Sequence, residues 1–223
     1  MKKILPFFLL AASLLLLQLP AAAQNPEHGN IPDEVYYLMP AFGEGMVYFR
    51  GQAPAQGRLN ICALDNSLRF IGPDGVELAA THPENIVRVQ IDTVVFLRCN
   101  EVFYRQFPVS WDMGAALRRN VRIMTDAKQA AYGGTSMTSS VREYNAVFAD
   151  GMTHKLDGRT DYPYDVQERV YIYKGDAVFP ITKKNVKKLF SKRKAELEAW
   201  LKAGNSLPDT LDETLAFLSL WAN

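Results

Sequence analysis

"IVRVQIDTVVFLRCNEVFYRQF", residues 86–107, is the stretch on which the fold class turns. In its first six residues Val87, Val89 and Ile91 alternate with Arg88 and Gln90. That is the two-residue period of a strand, whose successive side chains point to opposite faces of a sheet. The runs 94–99 and 102–107 are likewise rich in branched and aromatic residues, which fit a pleated, half-buried surface. Only Asp92-Thr93 and Asn100-Glu101 separate the three runs. Links of two residues force antiparallel neighbours, so the stretch reads as a ribbon with one wet face and one dry face.

The same pattern extends both ways. Upstream lie "MVYFR" (46–50), "GRLNICAL" (57–64) and "SLRFI" (67–71). Asp65-Asn66, "GPDG" (72–75) and "HPEN" (82–85) supply turn chemistry between them. Downstream, Val121 and Ile123 alternate with Arg122, which favours a strand within 111–125. "EYNAVFADGMTHKL" reads as a hairpin around Asp150-Gly151, and "RVYIYKGDAVFPI" as another turning at Lys174-Gly175-Asp176. From Thr182 the period changes: Val186, Leu189, Phe190, Leu197, Trp200 and Leu201 recur at helical spacing, and Gly204 suits the position after a helix end. Thr210 with Glu213 three residues on is a capping box for a second helix, with Leu211, Leu215, Leu218 and Trp221 as its buried stripe. The expected class is α+β, mainly β: an antiparallel meander or half-barrel sheet with a C-terminal pair of helices. The expected divisions are an irregular lead (24–34), a β domain (35–180) with a mobile loop at about 128–142, and a helix-loop-helix (181–223) docked on the sheet.

Ahead of all this, Lys2 and Lys3 precede an apolar run from Ile4 to Leu19, and "PAAAQ" ends it with Ala21 and Ala23. This is the grammar of a signal peptide over 1–23, cut before Gln24; an uncleaved anchor is the alternative, disfavoured by Pro20. Losing Lys2 and Lys3 takes the 25 basic residues to 23 against 24 acidic ones. A near-neutral mature chain argues against nucleic acid as a partner. In an oxidising compartment Cys62 and Cys99 could be bridged. Strand parity puts Cys62 with Asn60, opposite Leu59 and Ile61, and puts Cys99 with Val95 and Leu97. The two thiols then point to different sides unless a bulge intervenes, so a disulfide and two packed thiols both stay open.

"GRLNICALDNSLRFIGPDG", "AAYGGTSMTSS" and "VYIYKGDAVFPITKKNVKKLF", followed by the helix-loop-helix tail, resemble a group of uncharacterised exported proteins of the Bacteroidota. The resemblance implies export and architecture, with no activity to carry over. Cys62 and the insert-like "RQFPVSWDMGAA" depart from that pattern.

Candidate chemistry is sparse. "AAYGGTSMTSSVREYN" (130–145) has two glycines but neither the lysine of a phosphate loop nor the G-x-S-x-G of a nucleophile elbow; it reads as a connector. Ser191-Lys192-Arg193-Lys194 matches S-x-x-K without its S-D-N and K-T-G partners. His28, His82 and His154 share no metal-ligand spacing, so no metal and no cofactor is expected. Asp157, Asp161, Asp165 and Glu168 surround "YPY" and could pair as glycosidase carboxylates, with Tyr162, Tyr164, Tyr171 and Tyr173 as a sugar-stacking surface. Solvated loop charges and packed strand tyrosines are the plainer account. Lys183, Lys184, Lys187, Lys188, Lys192, Arg193 and Lys194 form a basic helical run that could meet anionic lipid, or simply keep a docked helix wet. The reading that fits best is an exported, non-catalytic envelope or surface component, a binding or structural module whose partner is an envelope protein, glycan or anionic lipid. The alternatives are a hydrolase of cell-wall or glycan material and a peripheral binder of anionic lipid or lipopolysaccharide.

Overall fold

A computed structural model describes residues 31–123 and 164–222. The signal-peptide segment, most of the lead, the 128–142 loop and the Asp150-Gly151 hairpin lie outside the described residues.

The protein is α+β and mainly β; its described residues build an open antiparallel sheet of ten strands. The opening ribbon supplies β5 (Ile86–Ile91), β6 (Val94–Cys99) and β7 (Val102–Pro108) at the expected bounds to within a residue. Asp92, Asn100 and Glu101 take positive φ values of 51°, 49° and 65°. Such left-handed residues give the two-residue turns the twist that adjoining strands require. Before the ribbon come β1 (Gly43–Phe49), β2 (Ala55–Ile61), β3 (Leu68–Ile71) and the short β4 (Glu77–Ala79); after it come β8 (Met113–Ile123), β9 (Tyr164–Lys174) and β10 (Ala177–Pro180). β4, only three residues long, was not expected, because it has too few alternations to register as a pattern.

The strand order is β10-β9-β8-β7-β6-β5-β1-β2-β3-β4. Two meanders therefore stand back to back. The chain walks outward from β1 to β4, returns, and lays β5 against the other side of β1 before walking outward again to β10. The return runs through residues 80–85 and ends in a 3₁₀ turn, Pro83–Asn85. It is held at each end by the backbone: Ala80 N–H donates to Leu68 O (2.9 Å) and Arg50 N–H to Asn85 O (2.8 Å).

The inner face carries Val47, Leu59, Ile61, Leu68, Ile86, Val89, Ile91, Phe96 and Phe103, one buried cluster drawn from both meanders. At roughly 1.5–3 kcal/mol per buried large apolar side chain, this cluster is the main hold on the sheet. Ahead of β1, a single turn α1 (Asp33–Tyr36) leads into an isolated bridge between Tyr37 and Cys62. Further along the inner face Met113, Ala115 and Ile172 are covered by α2 (Lys183–Leu189), α3 (Lys194–Lys202) and α4 (Leu211–Trp221). Phe190, Trp200, Phe217 and Trp221 fill this layer as an aromatic group with ring centroids 5.7–6.4 Å apart. The outer face is not simply wet: Leu97, Tyr104, Ala116 and Tyr173 form a second buried strip there. Gly114 makes that strip possible, since a Cβ would collide with the Phe107 carbonyl and lie 2.7 Å from the Tyr173 ring.

The helix expected from Thr182 onward is interrupted. Thr182 caps α2 by accepting from Asn185 N–H (3.2 Å), but the chain turns out of helical geometry at Phe190 (φ −105°, ψ 40°) and continues as a 3₁₀ turn, Ser191–Arg193. A straight helix would stack Lys184, Lys188 and Lys192 at four-residue intervals, and like charges at that spacing repel. The break instead lets Lys187 reach Glu198 on α3, 2.9 Å away. The second capping box forms: Thr210 Oγ1 accepts from Glu213 N–H (3.3 Å), and Glu213 Oε2 accepts from Asp209 N–H (3.2 Å). Gly204 follows α3 at φ 91°, the left-handed position that glycine adopts without strain.

Candidate functional site

Where β1, β2, β3 and the return segment enclose the end of the inner face, they leave a cavity of about 430 Å³. Strand alternation explains its walls. Val47, Leu59 and Leu68 point inward and are buried as its floor, whereas Phe49 and Phe70 stand half-buried at the sides. Ala55 and Gly57 share the inward parity of Leu59 and are too small to fill the space they face. Ala79, Ala80, Thr81 and His82 close the far side as the chain leaves β4. Gln56, Thr81 and His82 are the only lining residues with polar side chains. His82 is at the solvent edge, its side chain 81% exposed and 3.5 Å from Glu84. A cavity in the ordinary ligand range, mostly apolar with a few polar groups at its mouth, is what a small apolar molecule needs. Beyond Ala80 and Thr81 a second, more polar cavity of about 430 Å³ is lined by Asp65, Ser67, Arg98, Asn100 and Glu101 among others.

A buried ionic network braces the β3–β4 edge of this cup. Arg69 donates to Ser67 Oγ (2.7 Å), meets Asp65 at 2.8 Å and lies 3.7 Å from Glu77. Tyr37 donates to Glu77 at 2.6 Å, tying β4 to the segment ahead of β1. Asn60, fully buried, clasps that segment from β2: its side chain accepts from Met39 N–H (3.1 Å) and donates to Met39 O (3.0 Å).

Among the described residues, those singled out from sequence do not gather into one site. Cys62 and Cys99 are unbridged. Contrary to the expected parity, Leu97 and Cys99 lie on the outer face, the side to which Asn60 and Cys62 also belong by alternation. Lateral separation keeps the thiols apart: β5 and β1 stand between β6 and β2, so three strand spacings give about 14 Å, twice the reach of a disulfide. Burial pushes the Cys62 thiol up to about 12, with the Asp65 carboxylate as a secondary cause. Such a thiol is packed rather than nucleophilic.

The acidic set divides. Asp157, Asp161 and Tyr162 lie outside the described residues, as do His28, His154 and the 130–145 stretch. Asp165 and Glu168, three apart on β9, point to opposite faces: Asp165 is level with Arg122 on the outer face, and Glu168 pairs with Arg119 at 2.9 Å on the inner one. Those two carboxylates cannot flank one bond. Tyr171 packs edge-on against Tyr104 (5.2 Å) and Tyr173 is buried, so both are strand packing; Tyr164 is exposed.

The basic run is split by the helix break. Lys183, Lys184, Lys188, Lys192 and Lys194 are exposed. Lys187 is engaged by Glu198. Arg193 is structural: it lies over the Trp221 ring (4.7 Å), pairs with Glu196 at 2.9 Å and donates to Leu220 O (2.9 Å). Ser191 opens the 3₁₀ turn.

What the sequence reading missed is the cavity itself. Its signal was the small residues Ala55, Gly57, Ala79 and Ala80, unremarkable until the return segment sets the last two opposite the first two. No family model, curated protein or solved structure matches the chain.

Proposed function

We propose that the protein is an exported, non-catalytic binding module that holds an apolar ligand, of the size of a medium-length acyl chain, in the cup of its sheet. The observation that carries the reading is the apolar cavity of about 430 Å³. Its lining has one titratable side chain, the exposed His82, and so offers no acid–base pair to drive hydrolysis. What supports export is the basic, apolar and small-residue grammar of residues 1–23. Burying about eight methylenes at ~0.8 kcal/mol each contributes roughly 6 kcal/mol, which corresponds to a dissociation constant of tens of micromolar.

Gly57 provides the test. A Cβ there meets only Leu59 Cδ2, at 3.6 Å, and the side chain would project into the cavity. Gly57→Phe should therefore plug the cup while keeping the fold. Titration with a fluorescent fatty acid should show micromolar binding to the wild type and at least a ten-fold loss in the variant, with circular dichroism unchanged. Equal binding to both proteins, or none to the wild type, would refute the ligand reading. Mass spectrometry of the native protein should find Gln24 at the mature N-terminus, and an intact Met1 would refute export.

A further inference from the structure

On the outer face of the β8–β9 ribbon the geometry points to an oxyanion site: Arg118, Arg122 and Arg169, with the amides of Asn120 and Gln167, form a receptor for a phosphate-class group. These five residues line a cavity of about 90 Å³. A water needs about 10–15 Å³ by this measure, so the space suits a tetrahedral oxyanion.

The register brings them together. Arg118 stands directly opposite Arg169, Asn120 opposite Gln167, and Arg122 opposite Asp165. Alternation puts all six on the face away from the helices. One residue along, on the inner face, the same two strands match Arg119 with Glu168 in an ordinary ion pair at 2.9 Å. The outer face instead sets cation against cation, and like charges opposite each other destabilise a sheet. Among the described residues neither Arg118 nor Arg169 has an ion-pair partner, and the buried Nε of Arg118 has no hydrogen-bond partner. Asp165, the acid that the register places on that face, does not line the cavity and accepts from Gln167 Nε2 at 2.8 Å. A phosphate oxygen between the two strands would relieve the repulsion and satisfy that Nε, and the planar guanidinium fork suits two oxygens of one group. Tyr104, one residue beyond the β7–β8 pairs and level with Arg118, packs edge-on against Tyr171 at 5.2 Å on the same face.

The shared chemistry is a phosphate group, free or carried on a lipid headgroup, and two arms separate the sources. In the first, melting temperature is followed as inorganic phosphate replaces chloride at constant ionic strength. In the second, sedimentation is measured with phosphatidylcholine vesicles with and without phosphatidic acid. Wild type should respond in one arm at least, and Arg118→Gln and Arg169→Gln should each weaken the response about ten-fold or more. Arg88→Gln, on the same face outside the cavity, should leave it intact. In phosphate-free buffer Arg169→Gln should melt at or above the wild type, because a repulsion has been removed. Response to phosphate alone assigns a free anion, and response to vesicles alone a headgroup. No wild-type response, equal response in the arginine variants, or a lower melting temperature of Arg169→Gln without phosphate would each overturn the site. Gly57→Phe, which plugs the opposite face, should leave it untouched, so its failure and that of the apolar cup are separable.

Discussion

Replacing Arg69 with methionine removes the cation that meets two nearly dry carboxylates. The side chains of Asp65 and Glu77 are 7% and 9% exposed, and Arg69 lies 2.8 and 3.7 Å from them. Without the guanidinium both charges would stay buried beside each other, with Ser67 bonded to one and Tyr37 to the other. Breaking a buried ion pair from one side costs about 3–5 kcal/mol, a large share of a typical domain stability of roughly 5–15 kcal/mol. Urea unfolding followed by circular dichroism should show that deficit at pH 7. Arg69→Met combined with Asp65→Asn and Glu77→Gln should recover most of the loss. A single variant within about 1 kcal/mol of wild type at pH 7, or a triple variant no better than the single, would refute the account. The stake reaches the cup, because this network holds β4 and the turn before β3 in place.

Glu101 sits at φ 65° in the tight β6–β7 turn, a conformation costly for any residue with a Cβ. Glu101→Gly should raise stability by roughly 0.5–1 kcal/mol, seen as a melting temperature about 2 °C higher; a decrease would contradict the turn geometry. Cys62, pushed up to about 12 by burial, keeps its proton in the folded state at pH values where the unfolded chain loses it. Its contribution is thus whole below about pH 9 and declines as pH rises toward 12. Cys62→Ala should show a shallower alkaline loss of stability in urea melts between those limits, and an identical slope would count against the buried thiol.

The sheet was legible because its strands announce themselves locally. Val87, Val89 and Ile91 alternate with polar neighbours, and links such as Asp92-Thr93 leave antiparallel pairing as the only choice. The capping box at Thr210 was legible for the same reason, since its hydrogen bonds span four residues. What the sequence could not reveal is non-local. Nothing near Ala80 says that the next strand returns past three others to pair with β1, and that return both reorders the sheet and creates the cavity. The interruption at Phe190 was hidden too, because the apolar spacing of Val186, Phe190 and Leu197 would suit an unbroken helix. The outer-face strip at Leu97 and Tyr104 escaped because alternation identifies two faces without saying that both are dry.

The arginines on β8 and β9 show how register turns composition into meaning. In sequence, Arg118-Arg119 and Glu168-Arg169 look like interchangeable surface charge. The inner face fixes their pairing: Ala115 meets Ile172 and Leu117 meets Val170 in the apolar layer. A slip of one residue would turn that layer outward. With the register fixed by packing on one side, the residue at 169 on the other is unconstrained by the core; it is exposed and has no ion-pair partner among the described residues. A glutamate there would have given Arg118 the partner that Glu168 gives Arg119. An arginine in its place sets cation against cation, a cost that the proposed oxyanion between the two strands would recover.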